Sequence, residues 1–458
     1  MPGSVRSAAI TLFFRALGES TVRLAHLEFT IPPETFFPSE PDTTVDAFIE
    51  PGFDETGALA PPPPPDGRKG HSAHPRRRRM FLTVLAILAM VMVLPATSLV
   101  AALRAPGNTT TTERSVEWLR DHNFGGVVNR VEQWWFSNHA PKQGGAPDRG
   151  IAIAAPPDEG KPAATTPGTA GANQVVATAR PADVPVPDGV TPLPNEGVWQ
   201  AVGPTFGGSP AMYATQVRPD SIHTSLLDGL VWIDPKLARF ETHPGLQEPG
   251  GTWATPPQVP TNERLALLAA FNGGFRMQDA RGGFYLEGKA QKPLRDGAAS
   301  FVITKDGTAT IGQWGRDMKM TPEVVSVRQN LDLIVDGGQP VAGLDDNSNG
   351  KFGATLGNKV LVWRSAVCVD ADGGIIYGYG DGLGALSLAQ LMTRAGCQRA
   401  MELDINPGWT SFNFYGATTA GDPSTVVGTK LLPDQHKPAN RYLTNDSRDF
   451  VAVLSRQN

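Results

Sequence analysis

From residue 197 onward, apolar positions come in short alternating or continuous runs broken by Gly, Asp-Gly and Pro. This period-two texture predicts strands at Ala211–Val217, Leu230–Ile233, Ala299–Ile303, Ala309–Trp314, Leu331–Val335, Val360–Cys368, Ile375–Tyr379 and Ala400–Ile405. A 3.6-residue period appears only at Glu263–Ala270 and Ser387–Ala395, which predicts two helices. Few helices among many strands imply one α+β domain over 197–458, with mixed or antiparallel sheet. The run "MELDIN" carries a greasy face (Met401, Leu403, Ile405) and a polar one (Glu402, Asp404, Asn406), and it stops at Pro407-Gly408.

The first 196 residues read differently. Residues 1–79 are polar and Pro-rich, which predicts a disordered tail. Residues 80–103 are 24 residues without a charge, preceded by Arg76–Arg79. That length crosses a bilayer, and the arginines orient it as a signal anchor with residues 1–79 in the cytoplasm. The expected location is therefore a single-pass cell-membrane protein with its C-terminal domain extracytoplasmic. Val116, Leu119, Phe124, Val127, Val131 and Trp134 give 104–140 a helical spacing weakened at Gly125-Gly126. That segment fits packing on the distal domain or, through Trp134 and Trp135, lying on the membrane surface. Residues 141–196, rich in Ala, Pro, Gly and Thr, read as a linker.

A formal net charge of −5 gives no electrostatic case for nucleic acid. Cys368 and Cys397 fall in the exported part. A bridge between them would stabilise by about 3 kcal/mol in the loop-entropy picture, and two buried thiols fit the sequence equally. Histidine occurs after residue 197 only at His223, His243 and His436, without zinc spacing, and no G-x-S-x-G is present. "DDNSNG" at 345–350 begins like a calcium loop, but Leu356 stands where the bidentate Glu belongs, so an Asx turn explains it. "GDGLGA" at 380–385 has the spacing of a dinucleotide fingerprint, yet no βαβ repeat surrounds it, which argues against a nucleotide-binding enzyme. No metal and no cofactor are expected.

The remaining polar residues sit at strand ends. Asn272 precedes Gly273 and Gly274, whose missing side chains allow close backbone approach. Arg364 interrupts the apolar run "VWRSAVCV" and must be paired or serve an anion. Asp381 lies in a Gly-rich loop, and Glu402 and Asp404 share a strand face.

In this order the chain resembles the phosphodiester glycosidase family. Asn272-Gly273-Gly274-Phe275 is similar to its N-x-G-F segment, Arg364-Ser365-Ala366-Val367 to its R-[ST]-A-V strand, and Asp381-Gly382 to its D-G loop. The helix Leu388–Ala395 and Leu403-Asp404 correspond to the helix and strand that end in L-D-G-G-G-S. There the chain departs: Ile405-Asn406-Pro407-Gly408-Trp409-Thr410-Ser411 replaces the glycine loop, Glu402 stands for a polar Asn, and Arg276 stands for an aromatic. The resemblance implies an exported hydrolase that cleaves the bond between a sugar and a phosphodiester, on an envelope or extracellular glycan. Asp404 or Glu402 would be the catalytic carboxylate and Arg364 the phosphate ligand. Asn272 and Asp381 would hold sugar hydroxyls, Trp409 would stack on the ring, and Gly273, Gly274 and Asn406 would also bind substrate. A glycan-binding module that has lost catalysis is the alternative implied by the altered loop.

Overall fold

The computed structural model describes residues 95–157, 177–346, 351–353 and 361–456. The chain divides into two units, Met1–Ala102 and Leu103–Asn458. Of the first, only 95–102 are described, and they are helical. Among the described residues no helix is long and apolar enough to cross a membrane. Most of the expected span, residues 80–94, lies outside them, as do the tail 1–79, linker residues 158–176 and the last four residues of "DDNSNG", 347–350.

The second unit opens with α1 (Thr111–Leu119), a π-helical turn (Arg120–Phe124) and α2 (Gly125–Asn138). Thr110 and Glu113 form a capping box: Glu113 N–H donates to Thr110 Oγ1 (3.2 Å) and Thr110 N–H donates to Glu113 Oε2 (2.8 Å). The break falls at His122 and Asn123, where Asn123 takes a φ of 66°, a left-handed state that Asn tolerates. Gly125 and Gly126 follow the break and begin α2.

The strands are β1 (Gln200–Phe206), β2 (Ser209–Val217), β3 (Asp228–Ile233), β4 (Ala238–His243), β5 (Leu267–Asn272) and β6 (Phe284–Leu286). They continue as β7 (Lys289–Lys292), β8 (Ala299–Thr304), β9 (Ala309–Gln313), β10 (Val324–Gln329), β11 (Leu333–Asp336) and β12 (Gln339–Pro340). Then come β13 (Val362–Val369), β14 (Ile375–Leu383), helix α3 (Ala385–Arg394), β15 (Arg399–Glu402), β16 (Phe412–Ala417), β17 (Val426–Lys430) and β18 (Phe450–Ser455).

Three antiparallel sheets result. The largest has eight strands in the order β1-β2-β3-β14-β13-β15-β11-β12, and the others run β7-β6-β10-β8-β9 and β17-β16-β5-β18-β4. One apolar core takes side chains from all three, among them Tyr377 and Met401 from the large sheet, Phe301 from the second and Phe271 and Phe412 from the third. Leu403 joins it, so the Met401–Leu403 face is interior. A second core lies between the large sheet and α3, where Leu388, Leu391 and Met392 pack on Ala366 and Ile376. Cys368 and Cys397 are bridged there, with Cα atoms 5.7 Å apart.

The helix expected at Glu263–Ala270 is not formed. A 3-10 turn (Thr261–Glu263) leads into β5, which is buried along its whole length between β16 and β18. "LALLAAF" has high helix propensity, but a continuous apolar run suits a central strand as well, and burial on both faces decides for the strand. "GDGLGA" joins β14 to α3, and β14 is antiparallel to both its neighbours, so the parallel βαβ setting of a dinucleotide site is absent there.

Candidate active site

The polar framework grows from the end of β5. Asn272 is buried and its amide is fully used inside the protein. It donates to Gly273 O (2.8 Å) and Ser365 Oγ (3.1 Å), and accepts from Tyr377 Oη (2.7 Å) and Ser411 N (3.1 Å). One side chain thus ties β5, β13, β14 and the segment before β16 together. Asn272 positions these elements and has no hydrogen left for a sugar, contrary to the role expected for it. Gly273 and Gly274 are needed for close approach, but to protein groups: a Cβ would lie 2.2 Å from Asp449 Oδ2 on the first and 2.8 Å from Asn330 Oδ1 on the second. Asn330 extends the framework by donating to Glu402 O (2.7 Å) and Leu403 O (2.9 Å) while accepting from Phe275 N (3.0 Å).

Arg364 and Glu402 meet as a buried ion pair between neighbouring strands β13 and β15. Arg364 Nε also donates to Leu383 O (2.9 Å). With its charge neutralised and its side chain interior, Arg364 belongs to the framework and is not an open phosphate ligand. Burial pushes the Glu402 carboxyl above its ordinary range, and the Arg364 charge opposes that rise. Glu402 Oε2 is buried with no hydrogen-bond partner among the described residues, and a Cβ on Gly353 would sit 3.3 Å from it.

Asp404 stands beyond the end of β15, where the regular period has broken. Its own N–H donates to Ser365 Oγ (3.1 Å), its carbonyl accepts from Ser365 N (2.9 Å), and its Oδ1 accepts from Asn406 N (2.9 Å). Asn406 in turn organises the turn that follows: its Oδ1 accepts from Gly408 N (2.8 Å), and its carbonyl from Trp409 N (2.8 Å) and Thr410 N (3.0 Å). Burial pushes the Asp404 carboxyl up to about 6, against the pull of the Arg448 charge, the Asn406 and Ile405 N–H groups and Arg441. A carboxyl near 6 exchanges its proton near neutrality, as a general acid or base must.

Trp409 is buried among three cations. Lys437 Nζ lies 4.7 Å from its ring centroid, and the guanidinium carbons of Arg441 and Arg448 lie 5.2 and 4.4 Å away. Arg441 is committed inward: it donates to Trp409 O (2.9 Å) and Ser411 Oγ (3.0 Å) and pairs with buried Asp446. Lys437 pairs with Glu113 (2.7 Å) and Arg448 with Glu117 (2.6 Å), both on α1. One turn later Asp121 pairs with Arg276 (2.8 Å). The 104–140 segment therefore packs on the domain through this edge, with Thr109 Oγ1 donating to Ser447 Oγ (2.8 Å) and Asn108 Nδ2 to Asp446 Oδ2 (2.9 Å). On α2, Val127, Val131 and Trp134 remain exposed.

Residues 266–407 match the phosphodiester glycosidase family. Among solved structures, the chain is similar to the zebrafish N-acetylglucosamine-1-phosphodiester alpha-N-acetylglucosaminidase catalytic domain auto-inhibited by pro-peptide. Identity is 15%, coverage is 54% of this chain and 85% of that one, and the TM-score is 0.36. A hypothetical protein from Synechocystis is similar at 15% identity over 55% of this chain and 63% of that one, with a TM-score of 0.31. No curated protein matches the chain.

Within the phosphodiester glycosidase segment lie Asn272, Arg364, Asp381, Glu402, Asp404 and Asn406; Trp409 lies just past it. Asp381 follows Gly380, the residue that faces Arg364 across β13 and β14. Its carboxylate accepts from Gly382 N (2.8 Å), and its charge acts on buried Asp228. The sequence reading missed Lys437, Arg441 and Arg448, all beyond the phosphodiester glycosidase segment. The only hint was the charge-dense run "NRYLTNDSRDF" before β18, which has the composition of a solvated turn. It also missed Glu241, His243 and Glu263, whose potential ligand atoms lie within 4.8 Å of one another. His243 Nδ1 is bonded to Pro256 O (3.0 Å) and its buried Nε2 has no hydrogen-bond partner among the described residues, so these three could hold a divalent cation. That cluster shares no residue with the Asp404 site.

Proposed function

We propose that the second unit hydrolyses the bond between a sugar's anomeric carbon and a phosphodiester oxygen, with Asp404 as the catalytic carboxylate. The observation that carries this reading is a buried aspartate shifted to about 6 beside a cation cluster, at the end of a segment matching the phosphodiester glycosidase family. The leaving group is a phosphate monoester, already stable as an anion, so it needs cations more than a proton. Asp404 then activates water or stabilises the positive charge that develops at the anomeric carbon. Glu402 is the less suitable base because Arg364 occupies it. Arg364, Asn272 and Asn330 hold the geometry from behind. Export, a membrane anchor at 80–103 and an envelope glycan as substrate complete the proposal.

The test is release of free sugar from a sugar-1-phosphodiester by the purified chain. Turnover that Asp404→Asn abolishes supports the reading, and turnover that survives this substitution refutes it. The stretch Ile405–Ser411, with its Pro407 and Trp409 in place of the family's glycine loop, favours a second reading as a glycan-binding module. Binding of a sugar phosphodiester without turnover over a panel of such compounds would select it.

A further inference from the structure

β4 carries the triplet Glu241-Thr242-His243. Residues two apart on a strand share a face, so Glu241 and His243 point together and Thr242 points away. Thr242 Oγ1 meets Ser326 Oγ (2.7 Å) on the second sheet. The His243 ring stacks on Phe450, with 4.7 Å between centroids. The chain after β4 returns to this face through Pro256, Val259 and the 3-10 turn Thr261–Glu263. That turn is docked by its own bonds: Val259 N donates to Tyr442 O (2.9 Å) and Arg264 Nη2 to Leu443 O (2.7 Å). It brings the Glu263 carboxylate to Glu241 and His243, with the three potential ligand atoms within 4.8 Å of one another.

His243 is 1% exposed. Pro256 O can only accept, so Nδ1 carries the hydrogen of their 3.0 Å bond. In the neutral ring Nε2 is then a bare lone pair. It is buried without a hydrogen-bond partner among the described residues, and it lies 4.0 Å from Glu241 Oε2. With Glu263 beside them, three acceptors converge without a donor. Burial disfavours the imidazolium that would otherwise supply one. Arg239 answers only the other oxygen of Glu241, and among the described residues Glu263 has no ion-pair partner. A cation resolves this convergence. Zinc bonds of roughly 2.1 Å to nitrogen and to oxygen together reach about 4.2 Å, enough to span the gap between Nε2 and Oε2.

We propose that Glu241, His243 and Glu263 bind one divalent transition cation of the zinc class, which pins the turn before β5 to β4. The imidazole selects against calcium and magnesium, which take oxygen ligands. Two carboxylates balance the two charges of the cation. Three protein ligands leave a fourth position, and both carboxylates are only half-buried, so water reaches it. Arg239 on Glu241 Oε1 and Pro256 O on His243 Nδ1 hold two of the ligands from behind. The sequence hid the site because Glu-Thr-His is an ordinary strand triplet and the third ligand follows a long loop. The site stands whether or not the hydrolase reading does.

The full chain is stripped with EDTA and titrated calorimetrically with zinc chloride, beside Glu263→Ala and Glu241→Gln. Loss of an outer partner alone weakens a metal site roughly 10–100-fold, so loss of a ligand is expected to weaken the tightest zinc equivalent by about a hundredfold. An unchanged tight equivalent in both variants overturns the proposal and gives the zinc to other histidines, such as His71 and His74. Should Glu263→Ala fail to fold, Glu241→Gln decides alone, since it keeps an oxygen for Arg239. Thermal unfolding is the second measurement. Zinc at about a hundredfold excess over its Kd is expected to raise the Tm of wild type by several degrees and to leave Glu263→Ala unmoved. No shift in wild type, or the same shift in the variant, refutes the pin. A larger shift from calcium or magnesium than from zinc overturns the role given to the imidazole.

Discussion

Two acid–base pairings lie near each other in sequence and close on one another in charge, yet they are built differently. In the first, Arg364 and Glu402 face each other across neighbouring strands and are both buried. In the second, Asp404 and Arg448 interact through charge while the Arg448 ion pair goes to a helix with no buried residue. The first pairing is closed by the sheet itself. The second is closed by a helix from outside the sheets, none of whose own residues is buried. Residue type alone does not separate scaffold from site. What separates them is whether the partner is fixed by the same core that fixes the residue.

The largest effect that bears on this contrast is expected at the closed pair. Arg364→Ala leaves a buried carboxylate alone and should destabilise by roughly 3–5 kcal/mol, read by urea unfolding. Arg364→Met/Glu402→Leu should recover most of that loss. If the double variant is no more stable than the single, the pair is not the closed structural unit described here.

Next comes Asp404→Asn, expected to lower kcat by about a thousandfold, or roughly 4 kcal/mol of transition-state stabilisation, with little change in KM. The same substitution should raise stability at neutral pH. The folded carboxyl titrates at about 6, above its ordinary value of 3.8. The folded state therefore holds the proton more tightly, and stability is lost as pH rises from about 4 through 6. Replacing Asp404 removes that loss, about 3 kcal/mol for a shift of this size. A thermal melt at pH 4 and at pH 7.5 measures it: the variant should gain on wild type at the higher pH and scarcely at the lower. A loss of stability at pH 7.5 would move Asp404 into the scaffold.

The pH–rate profile is a finer probe. With Asp404 acting as a base, kcat should climb through an apparent pKa near 6 and flatten above it. A profile that falls over this range would make Asp404 the acid. Smallest is the helix contact. Glu117→Gln takes the partner from a mostly buried arginine at the domain edge and should cost less than Arg364→Ala, read by the same urea unfolding.

Much of the framework was legible in the sequence. An arginine within an apolar strand demanded a partner, and Met401 and Leu403 of the greasy face of "MELDIN" are interior, whereas Ile405 is half-buried outside the core. Six strands of the large sheet followed from alternation and Gly turns, while β1 and β12 were not read as strands. Three further things were not legible. "LALLAAF" carries no period that tells a central strand from a helix, so β5 was read as a helix. Glu402 and Asp404 were placed on one face by period two, but the strand ends at Glu402 and the backbone then turns into the Asn406 loop. The cations at 437–448 come from a loop whose charge density looks like ordinary solvation. Only tertiary structure folds it under Trp409 and gives Arg441 its buried Asp446.

The carboxylate at 404 and the cations at 437 and 448 lie on opposite sides of residue 407, where the family match ends. The acid and its electrostatic surroundings are thus separable along the chain. A recombination junction between Gly408 and Ser411 would transmit Asp404 unchanged and give it a new ionic neighbourhood. Two proteins could then share the reaction and differ in what they act on, through a stretch that comparison over the common segment never reaches.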